Sequence, residues 1–285
     1  MKKLSLFTLS LLIVAGLLLS GCTYRIVTGS GNVSAETYDL TGYTRVTLAG
    51  IGDVILTQEG FQPVRIEAED NLIPYFEVKV EGDSLVIGIR DEYLGVNLRP
   101  TRPVKFYVSL PEVEALTLAG SGNVLAGDLQ TEDLRLSLLG SGNVSTGDLD
   151  SAALDVNLAG SGDIRLQTVS ASEVTLAILG SGNVTLDSVS AGRISSAISG
   201  SGDVTLTTGQ VEDQEIEILG SGDYLAAGME SQTARVTVSG SGNTQIRASD
   251  SLEVNILGSG DVRYTGQPAM DVNISGSGSV SQVNE

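Results

Sequence analysis

The chain has 285 residues, with 35 acidic against 16 basic side chains, 35 glycines, one cysteine and neither histidine nor tryptophan. The missing histidine excludes Ser–His and Cys–His catalytic pairs and His-ligated zinc or haem. A lone cysteine excludes an internal disulfide and a cysteine-rich metal cluster. A formal charge of -19 argues against nucleic-acid binding, which requires a basic surface to neutralise phosphate.

Lys2 and Lys3 precede an apolar run from Leu4 to Leu19. A positive start, an apolar stretch and small residues after it read as a signal peptide over residues 1–21. Leu19-Ser20-Gly21-Cys22 resembles a bacterial lipobox, in which cleavage precedes a lipidated cysteine, and Cys22 is the only cysteine in the chain. The expectation is a protein held on the exported side of a membrane in the bacterial cell envelope, with Cys22 as the lipid attachment site. Two or three acyl chains make such an anchor stable where one would be marginal. Residues 22–28 then form a short lipidated tether.

Residues 29–110 read as an N-terminal β module. Val64–Ala68, Phe76–Val80, Leu85–Ile89 and Lys105–Leu110 alternate as strands, with Glu81-Gly82-Asp83 as a hairpin turn. Its expected role is to cap the first coil of the repetitive part of the chain. Arg99, Arg102 and Lys105 are read first as counter-ions to nearby acids, with an anion or partner site as the alternative.

Residues 111–285 repeat. Gly-Ser-Gly-Asn/Asp recurs every 20 residues from Gly120 to Gly240 and then at 18, with earlier copies at Gly29 and, modified, at Gly50. Around each turn apolar residues alternate, as in Leu154, Val156, Leu158 before it and Ile164, Leu166 after it. Period two means strand with one face buried. A further apolar position recurs at Leu129, Leu149, Val169 and Val189. Identical residues at identical corners favour a parallel β-solenoid over stacked hairpins, because equivalent positions then lie about 4.8 Å apart. The fold class expected is all-β, a parallel β-solenoid of about 20-residue coils with an N-terminal β-rich cap.

The structural turns are Gly120 and Gly122, Gly140 and Gly142, Gly160 and Gly162, Gly180 and Gly182, Gly200 and Gly202, Gly220 and Gly222, Gly240 and Gly242, and Gly258 and Gly260. Glycine is expected there for its access to positive φ, and Asn or Asp for its tolerance of the same region. The serines between the glycines are expected to link rung to rung through their hydroxyls.

The residue before each turn alternates large and small: Ala119, Leu139, Ala159, Leu179, Ser199, Leu219, Ser239, Leu257, Ser275. Steric relief at a crowded corner is one account. The other is an exposed stripe, Leu139, Leu179, Leu219 and Leu257, that packs on another protomer.

Three site chemistries can be weighed on these residues. The Asn/Asp column invites calcium, with stacked Asp203 and Asp223 as the strongest local case, but free interchange of Asn and Asp suits a turn better than a charge-dependent site. A polysaccharide-active β-helix enzyme would need converging carboxylates; Asp150, Asp155, Glu212, Asp213, Glu215 and Glu217 read more simply as a solvated acidic face, and Tyr224 and Tyr264 are the rod's only aromatics for sugar stacking. Phosphate cradling needs a helix after the glycine turn, and here strands come after it.

The lipobox, Gly29-Ser30-Gly31-Asn32-Val33, the segment Glu67-Ala68-Glu69-Asp70-Asn71-Leu72 and the serial coils together resemble the head GIN domain family of putative auto-transporter adhesins. The resemblance spans residues 29–280 and implies a two-part β-solenoid at the cell envelope. It implies adhesion by name and brings no catalytic residue, metal or cofactor. The expected role is a non-enzymatic binding, adhesion or structural scaffold. A calcium-stiffened adhesin and the polysaccharide enzyme are the alternatives. Expected partners are the membrane through Cys22, a second copy of the chain, and an envelope glycan or protein.

Overall fold

The computed structural model describes residues 25–283; the expected signal peptide, the expected attachment site Cys22 and the start of the expected tether lie outside the described residues. Among those described there is no α-helix, only two short 3-10 turns at Ile73–Tyr75 and Asp91–Tyr93, and no helix is long and apolar enough to cross a membrane. The protein is an all-β parallel solenoid of 20-residue coils with an N-terminal β cap.

The strands of the first part are β1 (Arg25–Thr28), β2 (Val33–Tyr38), β3 (Arg45–Ala49), β4 (Asp53–Gln58), β5 (Val64–Glu69), β6 (Phe76–Glu81), β7 (Ser84–Ile89), β8 (Val96–Arg99) and β9 (Lys105–Leu110). Residues 25–28, expected as tether, are instead a strand: β1 pairs in parallel with β8, Arg25 opposite Val96 and Thr28 opposite Arg99. Only residues 23 and 24 separate Cys22 from β1 in the sequence.

The rod continues with β10 (Ala115–Leu118), β11 (Asn123–Ala126), β12 (Leu129–Leu138), β13 (Val144–Leu158), β14 (Ile164–Ile178), β15 (Val184–Ile198), β16 (Val204–Ile218), β17 (Tyr224–Val238), β18 (Thr244–Ile256), β19 (Val262–Thr265), β20 (Ala269–Ile274) and β21 (Val280–Gln282). Each central coil is one hydrogen-bonded run of 15 residues rather than separate short strands. In β13 the buried residues fall at 144, 146, 149, 151, 154, 156 and 158. The alternation slips twice, between 146 and 149 and between 151 and 154, and each slip is a bend. With the Gly-Ser-Gly corner this gives a three-sided coil, and the recurring apolar position at Leu129, Leu149, Val169 and Val189 is the middle side.

Register between rungs is 20 residues from β12 to β17, as in Leu154 with Val174 and Val174 with Ile194. Between β17 and β18 it passes from Ala226–Ile246 through Glu230–Arg247 to Thr233–Ser251. The shortening to 18 is thus absorbed at the middle bends, and the glycine corners stay stacked.

β3 and β4 lie within the segment assigned to the N-terminal module, yet they are also a rung of the rod. β10 and β11 pair with them in parallel on one side, Leu116 opposite Val46 and Val124 opposite Val54. β7 and β9 pair with them in parallel on the other side. The chain between β4 and β10 leaves the rod, builds this further rung and returns. β6 then closes β7, and β5 closes β9, both antiparallel, with β2 outside β5. Phe76 and Phe106, both buried, meet edge to face at 5.5 Å within this cap.

Candidate functional site

The corner glycines stack as expected, for a different reason. Positive φ occurs at Gly31, Gly42, Gly52, Gly82, Gly95, Gly209 and Gly266, and at no described non-glycine residue, so the Gly-Ser-Gly corners from Gly120 onward do not use it. What they lack is room. A Cβ at Gly180 would stand 1.9 Å from the carbonyl oxygen of Gly160, and one at Gly182 would stand 1.8 Å from that of Gly162. Rungs about 4.8 Å apart bring the backbone of one corner onto the next, and only hydrogen fits between them. The rung-to-rung link at the serines also runs through the backbone, Ser181 N–H donating to Gly160 O at 3.0 Å. The serine hydroxyls face solvent.

The Asn/Asp column is a ladder. The N–H of Asn183 donates to Asp163 Oδ1 at 2.8 Å, that of Asp203 to Asn183 Oδ1 at 2.9 Å, and that of Asp223 to Asp203 Oδ1 at 2.8 Å. The series starts where Asn143 N–H meets Asn123 Oδ1 and ends at Ser279 on Asp261. Asn and Asp share the Oδ1 acceptor, which is why they interchange. Asp203 and Asp223 are therefore rungs of this ladder. Among the described residues no group of three or more Asp, Glu, His or Cys is assembled that could hold a metal.

The carboxylates weighed for catalysis are dispersed. Asp155 pairs with Arg135 at 3.0 Å, and Asp213 and Glu215 both pair with Arg193. Such exposed pairs add at most about 1 kcal/mol each. Tyr224 is not available to a sugar: it is fully buried, its hydroxyl donating to Gln214 Oε1 at 2.8 Å, and burial pushes its ionisation upward.

Two surface features run along the rod. One is a groove of about 840 Å³ over the middle bends, lined by Ser170, Ser172, Ser190, Ala191, Gln210 and Gln232, with Asp150, Glu212 and Glu230 beside it. Periodicity gave no sign of it, because its walls are the small polar residues that alternation treats as background. The other is the leucine stripe. Leu139, Leu179, Leu219 and Leu257 are 54%, 58%, 50% and 53% exposed, so they stand outward at the glycine corner rather than filling it.

In the cap, Glu69 is buried with its carboxylate ringed by donors that the sequence did not reveal. Gly31 N–H reaches it at 2.6 Å, Thr101 N–H at 2.8 Å and Arg102 N–H at 3.3 Å, and the Thr101 hydroxyl also donates. The early Gly29-Ser30-Gly31 copy thus belongs to this knot and not to the stack. Arg99, Arg102 and Lys105 form no ion pair among the described residues, so the expected counter-ion role is not met. Burial raises the Glu69 pKa, but the Thr101, Gly31 and Arg102 hydrogen bonds outweigh it and hold the carboxyl below its usual range. A depressed folded-state value stabilises the protein above the unfolded value of about 4.3 and is lost as pH falls through the folded one. Glu69→Gln should therefore lower the melting temperature at neutral pH and flatten its decline between about pH 5 and 3. Thermal melts across that range check this, and parallel wild-type and variant curves would contradict it.

No relative is found among curated proteins. Among solved structures, a putative adhesin from Parabacteroides merdae ATCC 43184 superposes with a TM-score of 0.68 at 21% identity, covering 91% of this chain and 100% of its own. A putative adhesin and a putative lipid binding protein, both from Parabacteroides distasonis ATCC 8503, each give 0.66, at 23% and 25% identity and with the same coverage. Residues 42–168 and 167–268 match the family described as "Putative auto-transporter adhesin, head GIN domain", and the chain belongs to that family.

Proposed function

We propose that the protein is a lipid-anchored, non-enzymatic adhesion scaffold of the cell envelope, and that the groove over the middle bends is where an extended glycan lies. The observation that carries this reading is the groove itself, which crosses successive rungs with a polar side chain at each step: the Ser170 and Ser190 hydroxyls, the Gln210 amide and the Glu230 carboxylate. A rung spacing of about 4.8 Å offers a regular series of hydrogen-bonding groups to a linear polar chain. The match to a family of adhesins supports a binding role, and the lipobox at Cys22 supports the anchor.

A chain starting at Thr23 contains every described strand and suits a glycan and envelope-protein binding screen. Ser190→Trp, which fills the exposed groove, should weaken binding of any hit by roughly tenfold, about 1.4 kcal/mol, without moving the melting temperature. Saccharide turnover by the purified chain would sink the non-enzymatic reading. Separately, Cys22→Ala should release the protein from the membrane fraction, and retention there would refute the anchor.

A further inference from the structure

We infer that the leucine stripe is the contact between two antiparallel copies of this chain. Its four leucines are each at least 50% exposed, while the residues between them are Ala159, Ser199 and Ser239. One large residue every second rung leaves ridges and gaps alternating at about 9.6 Å, twice the rung spacing. If steric relief were the whole cause, these leucines would be turned inward or flattened against their neighbours. They project.

The ground around them is nearly charge-free in a strongly acidic chain. The outward column beside the stripe reads Ser137, Asn157, Ala177, Ala197, Glu217, Thr237, and the other flank is the exposed serine column. Glu217 is the single charge on this lane. From residue 111 to 285 the chain carries 23 acidic and 6 basic residues, so elsewhere two rods would repel. The lane is the face on which a second copy meets least repulsion.

The period also fixes the orientation. Side by side in the same direction about a twofold, leucine would meet leucine, and the alternation would serve nothing. A twofold across the rod reverses the second copy, and two settings then seat every leucine in a gap. The one with the longer overlap, in which the β3–β4 rung faces Ser275, puts Leu139 on Ser239, Leu179 on Ser199, Leu219 on Ala159 and Leu257 on Ala119 of the partner; the other, shifted by two rungs, puts them on Ser275, Ser239, Ser199 and Ala159. A self-complementary face related by a twofold closes as a dimer and does not propagate. A lane roughly 40 Å long and about 13 Å wide buries about 1,000 Å² in total, the lower bound for a specific interface. The expected dimer is accordingly weak. On the anchored reading proposed above, tethers at opposite ends would let the pair join two facing membranes.

Sedimentation of the chain starting at Thr23, which carries no cysteine, tests this without the anchor, so failure of the lipid-anchor reading would leave the result unaffected. Wild type should dimerise between about 1 and 100 μM. Leu179→Asn with Leu219→Asn should weaken the dimer at least about tenfold at an unchanged melting temperature, and Leu125→Asn, on another exposed face, should not. Leu139→Cys alone should fail to cross-link to itself, because its two copies lie five rungs, about 24 Å, apart, and mixed with Ser239→Cys it should cross-link between copies. A monomer throughout, a dimer indifferent to the leucine changes, or self-linking of the Leu139→Cys chain would overturn the proposal.

Discussion

Gly182→Ala is expected to abolish folding of the rod or to cost on the order of 4 kcal/mol or more. The added methyl would sit 1.8 Å from the Gly162 carbonyl oxygen, and the backbone on either side of that atom is held in the stack, Ser161 N–H donating to Gly140 O and Asp163 N–H to Asn143 Oδ1. No side-chain rotation relieves the overlap; the rungs must separate or the corner must rebuild. Ser181→Ala, whose hydroxyl faces solvent, should change stability by no more than about 0.5 kcal/mol. The decisive comparison is Gly182→Asn. If positive φ were the requirement, asparagine would be tolerated far better than alanine; if space is, the two are equally damaging. Gly82, at φ 64 with nothing within 4 Å of its added Cβ, supplies the opposite case and should accept asparagine readily. Urea unfolding followed by circular dichroism reads all four variants.

Tyr224→Ala should cost about 3–5 kcal/mol, among the largest penalties of any side-chain truncation in the rod. Tyr224 follows Val204 and precedes Thr244 in its column, and two other inward positions of its rung hold Ala226 and Ala234, where most other rungs carry leucine, isoleucine or valine. Truncation opens the ring's volume and strands Gln214, which is fully buried between Ile194 and Ala234. Tyr224→Phe keeps the ring but leaves Gln214 Oε1 without its donor, at about 1–3 kcal/mol. The Gln214 amide nitrogen already lacks a partner, so Gln214→Leu combined with Tyr224→Phe should be less damaging than the sum of the two changes. Additive costs in that cycle would refute the coupling.

The repeat made the rod legible because each coil meets mainly its neighbours, so a 20-residue register in sequence becomes a stack in space. The inward columns, the corner positions and the exposed serine face all derive from that single relation. Three things lay beyond it. The joining of Gly50 to Gly120 spans an excursion of the chain, and periodicity has no means of counting across it. Glu69 reads as one acid among 35 because its donors come from two distant loops, at Gly31 and at Thr101–Arg102. Tyr224 looks like a surface aromatic until its column is aligned with the inward Val204 and Thr244 and its rung is seen to carry alanines at 226 and 234. At the glycine corners the position is legible and the cause is not, since a positive φ and a missing Cβ contact leave the same residue in the sequence.

The alternation at the corner also constrains how a rod of this kind can change length. Rungs are interchangeable within the backbone stack, so loss or gain of one 20-residue unit preserves every hydrogen bond of the ladder. It does not preserve parity. A single deletion would set two leucines or two small residues on adjacent rungs, whereas a double one would leave the ridge in phase. On the contact inferred above, the rod lengths that keep the ridge in phase are quantised in pairs of coils, steps of about 10 Å, a ruler graduated by its outer surface and not by its core.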